Sequence, residues 1–284
     1  MKRILAIVIL TMAAPSLIFS QTAAQQAAPG NKAAATTAQQ QATATQSVQP
    51  AAQNRLFVII EERVKPEMWD EYLAFLKNEA IPAQIRGGLK ERQFWTVQYG
   101  GEGMTILWSQ PIENLAALEN VHIFPGIKPE ESKPLRDKRH RCLVSARRFL
   151  LRSLPELSHV KTPADIPATH ALLARRSIAP FRTDEFQNFI KTVDLPFWQQ
   201  QNTRSHLVYA TLLSGDNNEY IEIVPFNGYA DLRADPLPPQ QAQLRTLERA
   251  HKMPPGVLLR TEQMMLQYRP ELSIAGGKVA GQAK

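Results

Sequence analysis

The chain reads as an α+β protein built from one unit repeated twice, each unit in the order β-α-β-β-α-β. Three observations carry that reading. First, "FLLRSLPELS" (149–158) and "MMLQYRPELS" (264–273) end alike in Pro-Glu-Leu-Ser. Second, "DEYLAFLKNEAIP" (70–82) lies without a gap over "DEFQNFIKTVDLP" (184–196), so that Asp70, Glu71, Phe75, Lys77 and Pro82 meet identical residues. Third, the same offset carries Pro66 onto Pro180, Gly101 onto Gly215, Pro111 onto Pro225 and Leu118 onto Leu232. The closing Pro-Glu-Leu-Ser is displaced by one residue more. Loops absorb such a change most easily, which places it in the variable stretch before the last strand.

The elements follow in order. Leu56 to Val64 and Ala171 to Ile178 alternate as strands. Pro66 and Pro180 then suit the first turn of a helix, where a missing N–H costs nothing. Trp69, Tyr72, Leu73, Leu76 and Ala80, and in the second copy Phe186, Phe189, Ile190 and Val193, recur at helical spacing. Each helix is expected to give way near Pro82 or Pro196. Two hairpins follow, "QFWTVQY" with "MTILWS" and "HLVYATLL" with "EYIEIV", joined by Gly-, Asp- and Asn-containing turns. A short helix begins after Pro111 and again after Pro225. A basic stretch, 125–141 in one copy and 236–253 in the other, precedes the last strand, near 143–154 and 258–269.

A four-stranded antiparallel sheet with both helices on one face is the ferredoxin-like arrangement. Its other face is bare, and two bare faces in one chain can cover each other. The expectation is therefore a single-chain, pseudo-dimeric α+β barrel with units at 55–160 and 168–274, monomeric and pseudo-twofold.

What precedes the units has a different character. Met1-Lys2-Arg3, an apolar run from Ile4 to Ile18 and a small polar tail form the pattern of an export signal over 1–24, with cleavage after Ser20 or Ala24. The run is short for a bilayer span, which needs about 20 residues, so no membrane span is expected in the mature chain. Residues 25–54 are Ala, Gln, Thr and Ser with almost no charge, a linker expected to be disordered; 275–284 is read as a disordered tail. The predicted location is secreted or periplasmic. Cys142 is the only cysteine, so no internal disulfide can form.

The formal charge of +7 arises from 33 Lys plus Arg against 26 Asp plus Glu, part of it in "KPLRDKRHR", 133–141. The run has no interleaved aromatics with which to stack bases. It reads as a solvated basic helix, and no nucleic-acid partner is expected.

"VIIEERVKPEMWDEYLAFL" (58–76) and "GGLKERQFWTVQYGGEGMTILWSQP" (87–111) resemble the dimeric α+β barrel superfamily, and within it most closely the NIPSNAP-type domains. These are motifs of packing and turns, so the resemblance implies a fold and leaves the activity open. Relatives of that fold include cofactor-independent oxygenases, small isomerases, haem-binding enzymes and proteins without known chemistry. The long basic insertion before Cys142 departs from the family's compact pattern.

Strand alternation suggests where chemistry sits. The repeat places Tyr209 over Trp95, Tyr220 over Ile106, Glu222 over Trp108 and His206 over Arg92. Trp95, Trp108, Tyr209 and Tyr220 are candidates for an aromatic ligand-binding pocket, with Glu222, its pKa raised by desolvation, and His206 as proton-transfer groups. The alternative is that the aromatics fill the barrel and Glu222 pairs with Arg175 or Arg176. The histidines form no metal-binding pattern, and neither metal nor cofactor is expected. Three functions remain: a binder of a small apolar or aromatic ligand, an oxygenase- or isomerase-like enzyme, or an interaction protein with a filled barrel. A cavity separates the first two from the third. Finally, the equivalent positions 61/175 and 62/176 carry Glu against Arg, a complementarity that suits recognition between the halves.

Overall fold

The computed structural model describes residues 54–120, 122–161, 168–201, 204–213, 218–232 and 252–282. The proposed signal, nearly all of the linker and most of the second variable stretch lie outside the described residues.

Eight strands form one closed barrel. They are β1 (Leu56–Val64), β2 (Gln93–Tyr99), β3 (Thr105–Ile112), β4 (Leu143–Ser153), β5 (His170–Ile178), β6 (Leu207–Leu213), β7 (Glu219–Phe226) and β8 (Leu258–Tyr268), in the order β1-β3-β2-β8-β5-β7-β6-β4. Every neighbouring pair is antiparallel. Directions therefore alternate round the ring, and β1 and β5, four strands apart, run the same way. The pseudo-twofold axis thus lies along the barrel, and equivalent ends of the two repeats share one rim.

The registers repeat with the sequence. Leu56 opposes Ile112 as His170 opposes Phe226, and Trp95 opposes Tyr268 as Tyr209 opposes Ser153. The two sheets also do more than cover each other's faces. β2 pairs with β8 and β4 with β6, so every edge is used and neither unit keeps an open one. The Pro-Glu-Leu-Ser segments fasten these seams. Each forms a single 3-10 turn, Pro155–Leu157 and Pro270–Leu272. The Ser158 hydroxyl then accepts the Val208 N–H of the other repeat at 2.9 Å, and Ser273 accepts that of Phe94 at 2.9 Å.

Helices α1 (Trp69–Phe75) and α2 (Ile81–Arg86) pack outside the first repeat, and α4 (Thr183–Phe189) and α5 (Leu195–Gln201) belong to the second. The expectation that each helix stops near its proline is not met. A π turn, Leu76–Ala80 or Ile190–Asp194, stands directly before Ile81-Pro82 and Leu195-Pro196. The wider turn accommodates a residue that lacks an N–H and would clash in α geometry, and the helix runs on. The first basic stretch forms α3 (Pro129–Cys142), and α6 (Tyr229–Leu232) follows β7.

The expected disordered tail is corrected. Ile274–Ala275 and Lys278–Val279 form a hairpin, β9 and β10, turning on Gly276 and Gly277 at φ 59° and 76°. Burial of Ile274 and its two backbone bonds with Arg92 hold the hairpin to the barrel. Among the described residues no helix is long and apolar enough to cross a membrane.

Alternation sorts the side chains into three clusters. Tyr72, Phe75, Phe94, Ile106 and Trp108 lie under the first repeat's helices. Phe186, Ile190, Val208 and Tyr220 lie under the second's. Ile59, Leu107, Leu151, Leu173, Ile221 and Leu266, with Phe57, Trp95 and Tyr209, face inward.

Candidate functional site

The barrel interior is hollow at one end. A cavity of about 450 Å³ is lined by Phe57, Ile59, Trp95, Leu107, Leu151, Leu173, Tyr209 and Leu266 among others, with Arg55, Glu91, Gln93, Ser109 and Ser153 toward its polar lip. Its size suits a small-molecule ligand, and it has the expected makeup, an apolar body with few polar groups. Phe57 meets Tyr209 edge-on, centroids 5.7 Å apart, and Trp95 packs on Tyr268 at 5.0 Å. Burial pushes the Tyr209 phenol up to about 12, so it is a hydrogen-bond donor at neutral pH.

The single pocket expected from sequence divides in two. Trp95 and Tyr209 do line the cavity, on equivalent strands. Trp108 borders it as well, although its indole turns to the opposite face, where Nε1 donates to Glu62; Tyr220, Glu222 and His206 do not line the cavity. The register pairs Trp95 with Leu107 and Phe94 with Trp108, as it pairs Tyr209 with Ile221 and Val208 with Glu222. Directly opposed residues share a face, so a parity slip of one residue exchanges inside for outside.

On the outer face of the second repeat, Tyr220 packs on Phe186 and accepts a hydrogen bond from Gln187 at 2.6 Å. Glu222 takes Arg176 at 2.6 Å and stands 3.4 Å from Nε2 of His206. His206 is buried, with Trp198 stacked on it at 5.0 Å. The expected rise of the Glu222 pKa is also corrected. Burial alone would raise it, but the His206 hydrogen bond and the Arg176 charge outweigh that and hold the carboxyl below its ordinary value. An ionised, paired carboxylate facing away from the cavity is not placed to exchange protons with a ligand inside it.

The first repeat has a counterpart that sequence reasoning did not find. Glu62, 1% exposed, accepts hydrogen bonds from Trp108 Nε1 at 3.0 Å, from Arg139 Nε at 2.9 Å and Nη2 at 2.5 Å, and from the Tyr72 hydroxyl. Arg92 lies over the Trp108 ring at 4.1 Å. The space beside this cluster is about 10 Å³, so it is packing rather than a site. The basic stretch is accordingly not wholly solvated, since Arg139 turns inward to neutralise Glu62.

The far end of the barrel holds charge. Glu61 pairs directly with its pseudo-twofold mate Arg175 at 3.0 Å and with Arg147 at 2.6 Å. Arg175 also stands 3.3 Å from Glu219 and 3.6 Å from Glu262. Position 62 and its mate 176 do not meet, because alternation turns both outward, each to a partner in its own repeat. Among the described residues no group of His, Cys, Asp and Glu is arranged to hold a metal ion.

No family model matches the chain, and no curated protein matches it. Solved structures do. The barrel superposes on an anthrone oxidase-like protein with a TM-score of 0.57 at 13% identity, over 82% of this chain and 98% of that one. It superposes on a candidate monooxygenase from Lactobacillus acidophilus with a TM-score of 0.51 at 9% identity, over 79% and 98%. The fold is the dimeric α+β barrel. Here the two halves of that barrel are joined in one chain, and at these identities the likeness speaks for the fold alone.

Proposed function

We propose that this dimeric α+β barrel is an exported, NIPSNAP-like protein that binds a small, largely apolar or aromatic ligand inside the barrel. The observation that carries the reading is the cavity of about 450 Å³ with Trp95 and Tyr209 facing each other's repeat across it. A barrel built only as an interaction scaffold gains stability by filling such a space, since each unfilled methylene forfeits about 1 kcal/mol. Binding is favoured over the oxygenase or isomerase alternative because His206 and Glu222, the expected proton-transfer pair, lie on the other side of the sheet from the cavity. The solved structures named as a monooxygenase and as anthrone oxidase-like keep that alternative in view for the same cavity.

Export is supported by the charged, apolar and small-residue order of 1–24; a mature N-terminus at Gln21 or Gln25 in the extracytoplasmic fraction is the expected result, and an intact Met1 there contradicts it. The binding test exposes the protein to a hydrophobic-metabolite extract and identifies by mass spectrometry what is retained, unchanged or converted. Ala171 lines the cavity and is fully buried. Ala171→Phe projects a ring into the empty space and is expected to abolish retention while leaving a cooperative melt. Equal retention by wild type and Ala171→Phe contradicts the reading, and recovery of a converted compound moves it to catalysis.

A further inference from the structure

The lip of the cavity carries a cation set into its aromatic wall. Arg55 is fixed through its backbone: its N–H donates to Ser153 Oγ at 2.8 Å, and its carbonyl accepts the Ser153 N–H at 2.9 Å. From there the guanidinium lies over the Phe57 ring, 5.5 Å from its centroid, and Phe57 leads edge-on to Tyr209. Arg55 and Tyr209 are also coupled by charge, since Arg55 draws the phenol's titration downward against the upward push of burial.

These polar groups lack strong partners. The Arg55 side chain has one ion-pair neighbour among the described residues, Glu91, at the outer limit of 4.0 Å and with both side chains well exposed. Solvent-exposed pairs at that separation contribute little, so Glu91 competes weakly for the guanidinium. Neither the guanidinium nor the Tyr209 hydroxyl makes a hydrogen bond to a described residue. A fork of N–H donors therefore stands at the polar lip beside Glu91, Gln93, Ser109 and Ser153, with the Tyr209 phenol as a further donor in the wall of the chamber.

Resting on the binding function proposed above, we propose that the ligand is an amphiphilic carboxylate. Its apolar body occupies the space among Trp95, Leu107, Leu151 and Leu173, and its carboxylate sits at the lip against Arg55, with Tyr209 as a second donor. A planar guanidinium matches a carboxylate in geometry as well as charge. Its stacking on Phe57 keeps it at the boundary between wall and water. A neutral head could accept from these donors but would leave the guanidinium charge unanswered, and a cationic head would prefer Glu91.

The test compares three ten-carbon probes by calorimetry: decanoate, decanol and decyltrimethylammonium, titrated into wild type, Arg55→Gln and Ala171→Phe. Decanoate is expected to bind wild type about tenfold more tightly than decanol, the effect of a charge-assisted contact at a partly wet site. Arg55→Gln is expected to erase that difference by bringing the decanoate affinity down to the level of decanol. Equal binding of decanoate and decanol by wild type, both lost in Ala171→Phe, overturns the carboxylate assignment and leaves the cavity reading intact. Preference for the ammonium probe overturns it in favour of Glu91. Failure of all three to bind wild type overturns both.

Discussion

Glu62→Ala destabilises the fold by about 3–5 kcal/mol, the range for removing one partner of a buried ion pair. Arg139, 5% exposed, loses the carboxylate that takes both its Nε and Nη2. The Trp108 indole and the Tyr72 hydroxyl lose their acceptor as well. The loss is therefore a set of unpaired buried donors around a stranded charge. Urea denaturation is the measurement. Replacing the pair together, Glu62→Leu with Arg139→Met, is expected to recover much of the loss, because two apolar side chains of similar reach leave no charge behind. A single-variant cost below about 1 kcal/mol would show that the cluster is wet and loosely held.

Arg175→Met is expected to cost about 3 kcal/mol by the same mechanism with the signs exchanged. Its guanidinium is the shared counter-ion of Glu61, Glu219 and Glu262 and lies over the Phe149 ring at 4.8 Å. Exchanging the charges, Glu61→Arg with Arg175→Glu, is not expected to rescue the fold. A glutamate at 175 would face Glu219 and Glu262, and an arginine at 61 would face Arg147. The pseudo-twofold pair is thus complementary only in the order the chain carries it. The variant also changes the response to acid. Burial alone would raise the Glu61 carboxyl, but hydrogen bonds from Arg147 and Arg175 lower it below the ordinary 4.5. A depressed folded-state value gives stability that is present above the unfolded value and lost as pH falls. Arg175→Met, holding one arginine fewer, should lose stability less steeply between about pH 5 and pH 3. An unchanged slope would mean that Arg175 does not set the Glu61 titration.

Much of the fold was legible because duplication leaves a record independent of propensity. Pro66 with Pro180 and Asp70 with Asp184 fix a register that the strand pairing reproduces residue for residue. Pro-Glu-Leu-Ser was readable as the end of each unit, but not its serine as the fastener between units, since that bond joins residues 50 positions apart in one case and 179 in the other. The π turns before Pro82 and Pro196 were missed because a proline at that position reads as a stop. A repeated proline inside two helical patterns was the available sign that the helix continues.

The candidate site was half legible. Trp95 and Tyr209 follow from the repeat and from alternation within their own strands. Trp108 borders the same cavity, but Tyr220 and Glu222 face away from it, because the register between hairpin strands depends on turn lengths and one residue of slip reverses the face. Glu62 differs in charge from its equivalent, Arg176, yet nothing local marks Arg139, 77 residues away, as its partner. Arg55 lies at the junction of the linker and β1, where composition points to a tether.

The cavity itself can be measured without knowing its natural ligand. An apolar chamber of about 450 Å³ should admit xenon, which enters dry apolar cavities and not packed cores. In xenon-pressurised crystals of the wild-type protein, a bound atom is expected inside the barrel between Trp95 and Tyr209, and none there in Ala171→Phe. Absence of xenon from the wild-type barrel, with the side chains collapsed across that space, would contradict the hollow interior on which the binding function rests.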